Sequence, residues 1–498
     1  MSLNARVGNA ADPKRKADAT ADEQKGAEDE CDFTCNVHGG RFERPPINLL
    51  IERLLNFRVI EADSFRTVAI HRRLMTGWDV ADLTGPEGED WRVPASELEA
   101  RQHRLAHLLQ EAGLPGALIQ HPVDLYYYAG GRQNASMFIP AAGAGGSTTA
   151  GGDGPVLYVR RSLQRAQFEG GGTNCPHEVT SFPRIKKFAE TLGERGVKLA
   201  PSLQFGEIPK TYSDRFVSAL SPLGACGDVT SVVHGQRETK SIWEQEQLNA
   251  AADVQLRMFE AVAAVGGEGV TELELVAAAE AVSRSEGFGG QVHMRRFPLS
   301  CDRGVIVAGR AGGIPSFFDS AVGGTGAHPL NGMGSGFTRI KSNEPVLVDL
   351  VHAHRGYIVD MTRMFVAGSL NETWVSRLED MVAVKDTVVG VLDQGGLCSD
   401  AWTEGFDLAQ ELGHGAHLMG MEPDQSKFLG HSVGLQLDES PVVAAGFDRP
   451  LPIGATMAIE PKVVHPEGSI GIEDTWIRDE EGMRPISADG LWPSITEW

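Results

Sequence analysis

Two short stretches constrain this chain more than anything else in it. Pro345-Val346-Leu347-Val348-Asp349-Leu350-Val351 is an apolar run holding one carboxylate, and Tyr357-Ile358-Val359-Asp360-Met361-Thr362-Arg363 repeats the arrangement after a polar turn. Runs of this kind, bounded by turn residues, predict buried strands. Two acids therefore enter the core on neighbouring strands. Desolvating a carboxylate is expensive unless a cation or hydrogen-bond donors compensate. A bound metal removes the difficulty.

Three more residues extend the pattern. His431 stands between glycines in Leu429-Gly430-His431-Ser432-Val433-Gly434, and Glu460 and Glu473 sit in the apolar contexts Met457-Ala458-Ile459-Glu460-Pro461 and Gly471-Ile472-Glu473-Asp474-Thr475. Four carboxylates and one imidazole would balance two divalent cations. An oxygen-rich set with a single histidine suits manganese, cobalt or iron better than the sulfur and nitrogen sets of structural zinc, with zinc the remaining candidate. A pair of such ions holds a hydroxide and polarises a substrate oxygen.

The rest of the chain frames this set. With 498 residues there is ample length for a large core, and a net charge of −22 repels polyphosphates and anionic lipid headgroups, so nucleic acid is a poor partner. No apolar stretch approaches the roughly 18 residues of a membrane span, and no apolar signal core opens the chain, which points to a cytoplasmic location. Six cysteines spread over this length read as reduced thiols. Residues 1–41 are polar and read as a disordered leader. Residues 42–93 form an extension in which Ile47, Leu50, Ile51, Leu54 and Leu55 predict a helix with an unpartnered apolar face. From Pro94 a helix over Glu97–Ala112 and a strand over Gly116–Gln120 begin an α/β pattern that runs to about Val233, interrupted by a flexible Gly/Ala/Ser/Thr insertion over Ala141–Gly154. A polar connection over His234–Glu244 precedes helices over Glu246–Ala264 and Glu272–Ser285, and the final third is rich in short strands. His352 and His354, alternating on the Asp349 strand, are placed at its solvent-facing end.

These motifs resemble the pita-bread metallopeptidase superfamily, which includes methionine aminopeptidase, aminopeptidase P, prolidase and creatinase. Asp349 and Asp360 have the family's eleven-residue separation. Asp360-Met-Thr-Arg-Met-Phe is similar to its Asp-x-x-Arg-x-Phe, and Gly430-His431-Ser432-Val433-Gly434 to its Gly-His-x-x-Gly. Glu460-Pro461 and Glu473-Asp474-Thr475 match its last two ligand motifs. Arg237-Glu238-Thr239-Lys240-Ser241 through Glu244 is similar to an interdomain signature, and His121-Pro122 through Tyr128-Ala129-Gly130 to the creatinase-type N-terminal domain. The resemblance implies an α+β fold: a smaller α/β creatinase-like domain over 94–233, then a pita-bread catalytic domain over 234–498. It also implies two divalent ions on Asp349, Asp360, His431, Glu460 and Glu473, a bridging hydroxide that attacks the carbonyl of Xaa-Pro bonds in short peptides, and a homodimer.

Two positions depart from the family. Where a histidine normally precedes the first aspartate by about seventeen residues, this chain has Gly332, and His328 is the nearest candidate for that proton-shuttling role. Where a histidine normally follows the ligand histidine by seven residues, this chain has Asp438, an acceptor or general base in place of a neutral donor. Asp438-Glu439 also resembles the dimethylsulfoniopropionate lyases built on this fold, in which an aspartate removes a proton to start β-elimination. A metal-dependent lyase with Asp438 as base is therefore one alternative to the hydrolase. A non-catalytic binding module is another.

Overall fold

The structure is a computed structural model describing residues 83–143, 154–296, 301, 304–487 and 492–498. The leader over 1–41, the extension up to residue 82 with its expected helix, and most of the 141–154 insertion lie outside the described residues.

Helix α1 (Ala95–Glu111) buries Leu98, Leu105 and Leu109, as its period requires. It packs on a five-stranded sheet of order β4-β3-β2-β1-β5, built from β1 (Gly116–Ile119), β2 (Ala135–Pro140), β3 (Val156–Val159), β4 (Glu178–Ser181) and β5 (Ser202–Leu203). Helix α2 (Pro122–Ala129) follows β1, with Pro122 in its first turn and Gly130 left-handed at its end.

The polar connection expected over 234–244 is helical on either side of a break at Thr239–Ser241. Helix α3 (Thr230–Glu238) runs into α4 (Ile242–Val265), which opens with a capping box between Ser241 and Glu244. Gln236, Arg237, Glu238 and Lys240 look like solvated loop residues in sequence, yet all are buried. Each is tied to groups distant in the chain: Gln236 to Tyr128, Arg237 to Asp124 and Glu439, Glu238 to Arg449, and Lys240 to Glu439. Polarity there marks a buried network.

Helices α4 and α5 (Glu272–Ser285) cover the outer face of a four-stranded sheet of order β16-β8-β7-β6, formed by β6 (Gly304–Ala308), β7 (Val346–His354), β8 (Tyr357–Val366) and, later in the chain, β16 (Ile495–Glu497). Val346, Val348 and Leu350 of β7, with Met361 and Phe365 of β8, pack outward against Met258, Phe259 and Leu275 of the helices. Their alternates turn inward, where Leu347 and Met364 join a second core with helix α6 (Glu372–Asp393). Covered on both faces, these strands read as continuous apolar runs. The acids lie on the inner face. Gln255 of α4 donates to the carbonyls of Leu350 at 2.5 Å and Val359 at 3.3 Å and pins the hairpin from outside.

A second five-stranded sheet has the order β10-β9-β11-β14-β15, made of β9 (Phe428–Ser432), β10 (Glu439–Ala444), β11 (Thr456–Ile459), β14 (Asp474–Arg478) and β15 (Met483–Pro485). Between β11 and β14 the chain forms the hairpin β12 (Lys462–His465) and β13 (Gly468–Gly471). His352 differs from expectation. It is fully buried, its Nδ1 bonds Ser283 Oγ at 2.8 Å, and burial lowers its pKa to about 3, because α5 covers the strand end that alternation alone leaves open.

Candidate metal centre

The hairpin register accounts for the eleven-residue spacing. β7 and β8 pair antiparallel with Val351 opposite Asp360 and Asp349 opposite Thr362. Asp349 and Asp360 are therefore diagonal neighbours on one face, within reach of a common ligand.

The segment around Glu473 docks beside them. Thr362 and Glu473 exchange backbone hydrogen bonds at 3.2 and 3.3 Å, and Thr362 Oγ1 donates to Glu473 Oε2 at 2.9 Å. Thr475 Oγ1 accepts the Asp360 amide at 3.0 Å and donates to the Asp360 carbonyl at 2.9 Å. Between them Asp474 pairs with Arg363 at 2.7 Å and with Lys385 at 3.6 Å. Asp360 and Glu473 thus face the centre, while Arg363, Asp474 and Thr475 lock the two strands that carry them. On β9, His431 stands opposite Ala458 of β11. A Cβ at Gly430 would lie 2.5 Å from the Ala458 carbonyl, so only glycine admits this approach. It sets His431 Nε2 3.3 Å from Glu460 Oε1.

One ligand atom each from Asp360, His431 and Glu473 fall within 4.8 Å of one another. Asp360 Oδ1 and Glu473 Oε1 are buried without a hydrogen-bond partner. Two orphaned carboxylate oxygens beside an imidazole nitrogen fit a divalent cation. Asp349 and Glu460 join Asp360 and His431 in lining a cavity of about 300 Å³.

Lys462 was not singled out in the sequence. It is fully buried, and its Nζ lies 2.5 Å from Glu460 Oε2, 2.6 Å from Glu473 Oε2 and 3.6 Å from Asp349 Oδ2. The signal was present: Lys462 opens the apolar run Lys462-Val463-Val464 directly after Glu460-Pro461, and a lysine at the head of a buried strand needs acidic partners. The charges shape one another. Burial lowers the Lys462 pKa, but Glu460, Glu473 and Asp349 outweigh it and hold the ammonium well above its ordinary value. Burial raises Glu460, yet Lys462 and His431 bring it down to about 2. Burial and the neighbouring Glu460 push Glu473 up to about 8, while burial, Glu473 and Asp349 carry Asp360 well above the carboxylate range. The acids outnumber the single ammonium, so the cluster favours further positive charge.

Asp438 reaches the cavity wall, but its oxygens are engaged elsewhere. Oδ1 accepts the Arg295 amide at 2.5 Å, and Oδ2 accepts the Arg296 amide at 3.0 Å and Arg296 Nε at 3.2 Å. It holds the 295–296 segment in place. His328 is not brought into the site: it is exposed in a turn closed by the Asn331 amide on its carbonyl at 2.8 Å, and it does not line the cavity. The loop before β7 turns back before it can deliver an imidazole inward. Gly332 leaves the family's histidine position without a side chain.

The curved sheets enclosing an acid-rich centre define a class, the pita-bread metallopeptidases. Residues 246–480 match the model of metallopeptidase family M24. Among particular relatives, the Xaa-Pro dipeptidase of Pyrococcus furiosus is 22% identical over 397 residues, covering 78% of this chain and 98% of that protein. The Xaa-Pro dipeptidase structure from Bacillus anthracis superposes with a TM-score of 0.65 at 19% identity, over 80% of this chain and 100% of that one. The X-Pro aminopeptidase of Thermotoga maritima gives 0.62 at 18%, over 78% and 98%.

Proposed function

We propose that this chain is a metal-dependent hydrolase that cleaves short peptides at Xaa-Pro bonds, using a centre for two divalent ions held by Asp349, Asp360, His431, Glu460 and Glu473. The observation that carries the proposal is the convergence of one ligand atom each from Asp360, His431 and Glu473 within 4.8 Å of one another, with Asp360 Oδ1 and Glu473 Oε1 buried and partnerless. Resemblance to proteins named Xaa-Pro dipeptidase supports the substrate class. Bound divalent ions supply Lewis-acid polarisation of a carbonyl and a water made acidic enough to attack at neutral pH.

The chain's own residues set the rest. Thr362, Thr475 and Arg363 fix the donors before substrate arrives, so little reorganisation remains at the moment of reaction. A cavity of about 300 Å³ admits a small peptide. Arg295 and Lys427, which also line it, offer positive charge to a peptide carboxylate. Asp438 positions Arg296 and the adjoining backbone. That arrangement commits both carboxylate oxygens to backbone amides of the 295–296 segment and gives no support to the lyase. A buried set of unsatisfied ligand atoms equally disfavours a binding module that uses no metal. The division near residue 233 belongs to this proposal too, supported by a five-stranded sheet lying wholly within 94–233.

The test is to load the full chain with manganese, cobalt, iron or zinc and supply a Xaa-Pro dipeptide, a longer Xaa-Pro peptide and, separately, dimethylsulfoniopropionate. Free proline from the dipeptide, or an N-terminal residue from the longer peptide, supports the proposal. Dimethyl sulfide, or no cleavage with any metal, refutes it.

A further inference from the structure

Another cavity, of about 390 Å³, opens at the carboxyl ends of the parallel strands β3 and β4. Arg160 directly follows β3, and Arg184 follows the end of β4 by three residues. The Arg160 amide donates at 3.0 Å to the carbonyl of Asn134, one residue before the antiparallel β2. The helix Lys210–Leu220 borders the cavity with Tyr212, Arg215 and Phe216, whose spacing of three and four residues puts them on one face. Ligands of open α/β sheets bind in the crevice outside the carboxyl ends of the strands.

Three arginines line this crevice, and all three are exposed. Among the described residues no carboxylate lies within ion-pair reach of Arg160, Arg184 or Arg215, and Asp214, beside Arg215, pairs with Lys210 at 2.8 Å. One unpaired arginine is ordinary on a surface. Three around one concavity repel one another and call for an anion. Residues 156–220 hold ten lysines and arginines against six acids, in a chain whose net charge is −22. Screening confines the field felt by a small anion to about 8 Å at physiological salt, so the local excess outweighs the whole-chain total here. The Arg160 guanidinium is also held in place, 3.8 Å above the Phe182 ring, which stacks on the fully buried Phe188. A guanidinium stacked by its face keeps its N–H edge for a ligand.

We propose that this crevice binds a phosphate dianion, free or as the monoester of a small molecule. A carboxylate brings one charge and two oxygens. A phosphate monoester brings about −1.5 to −2 charge at pH 7 and three oxygens, a closer match to three guanidinium forks. Tyr212 gives the organic part of an ester an aromatic wall, and the cavity volume is that of a small-molecule site. The site goes beyond the hydrolase reading and does not depend on it, because β3, β4 and the helix Lys210–Leu220 carry none of the metal-centre residues.

The experiment is titration calorimetry of the full chain with phenyl phosphate, inorganic phosphate and benzoate. Phenyl phosphate should bind saturably at about millimolar concentration or below, and benzoate at least about tenfold more weakly. Phenyl phosphate binding tighter than inorganic phosphate assigns the site to an ester, and equal binding assigns it to the free ion. Arg184→Gln and Arg215→Gln should each weaken phenyl phosphate about tenfold or more. The triple replacement of Arg160, Arg184 and Arg215 by glutamine should abolish binding while the circular dichroism spectrum stays that of wild type. Asp360→Asn should leave the affinity unchanged. No saturable binding up to about 10 mM, benzoate bound as tightly as phenyl phosphate, or an isotherm that survives the triple replacement overturns the proposal. Loss of binding in Asp360→Asn overturns it too, since that places the anion at the metal centre. Should the triple variant fail to fold, the single variants decide, and unchanged affinity in both sinks the site.

Discussion

Replacing Arg237 with methionine tests whether the buried network between the β1–β5 sheet and the sheet that carries β10 is a principal support of the fold. Arg237 is 3% exposed and joins Asp124, at 2.7 Å, to Glu439. Without the guanidinium, Asp124 keeps His121 Nδ1 at 3.0 Å and Gln204 Nε2 at 2.7 Å, and Glu439 keeps Lys240 at 3.2 Å and the Gln436 amide at 3.2 Å. Removing one partner of a buried ion pair costs about 3–5 kcal/mol. A second route gives a similar figure. Burial raises the Glu439 carboxyl, but Arg237 and Lys240 outweigh it and hold the group at about 2 against an ordinary 4.5, which is worth about 3 kcal/mol. A carboxyl depressed in the folded state contributes stability that is complete above its unfolded value. That contribution is lost as pH falls through 4.5 toward 2. Arg237→Met should therefore lose about 3–5 kcal/mol at pH 7 in urea unfolding followed by circular dichroism, and the gap to wild type should narrow as pH drops below about 4.5. A gap under about 1 kcal/mol at pH 7, the value of an exposed pair, or one that ignores pH, would refute the reasoning.

Three further outcomes follow from the centre. Asp360→Asn keeps the backbone bonds to Thr475 and replaces a carboxyl whose charged form the crowded acidic cluster already disfavours, so the metal-free protein should melt no lower than wild type. Its stabilisation by added manganese should vanish, as scanning calorimetry would register. Thr475→Val deletes both bonds to the Asp360 backbone and should cost about 1–2 kcal/mol in chemical unfolding, with weaker metal retention on gel filtration. Asp438→Asn turns one acceptor oxygen into an amide that meets the Arg295 or Arg296 donors, so KM for a Xaa-Pro dipeptide should rise about tenfold with metal content unchanged. Abolished turnover at an unaltered KM would instead return Asp438 to the role of base.

Much of this centre was written in the chain. The strands of Asp349 and Asp360 announce themselves because apolar runs interrupted by single acids have few explanations, and their spacing is that of a hairpin whose register sets the two acids diagonally. Gly430 before His431 marks a close backbone approach that the sheet indeed makes. Helix α1 and the 116–119 strand were equally legible, since periodicity and the glycine and proline at their junction are local signals. The partners of a charge are not local. Arg237 and Lys240 look like loop residues until a β10 carboxylate some 200 positions away meets them. His352 passes for a solvent-facing residue until α5 covers it. Asp438 has a family position that promises acid–base chemistry, yet the 295–296 backbone claims its oxygens.

Lys462 marks the boundary most sharply. Its place at the head of the apolar run Lys462-Val463-Val464, next to Glu460-Pro461, was legible in the chain. Whether it met solvent or four carboxylates depended on the β12–β13 hairpin folding over the β7–β8 pair, with Gly471 opening the space. Sequence determined the donor types and their local geometry. Tertiary packing decided which charges share the centre, because electrostatic pairing acts through space between segments that chain order keeps far apart.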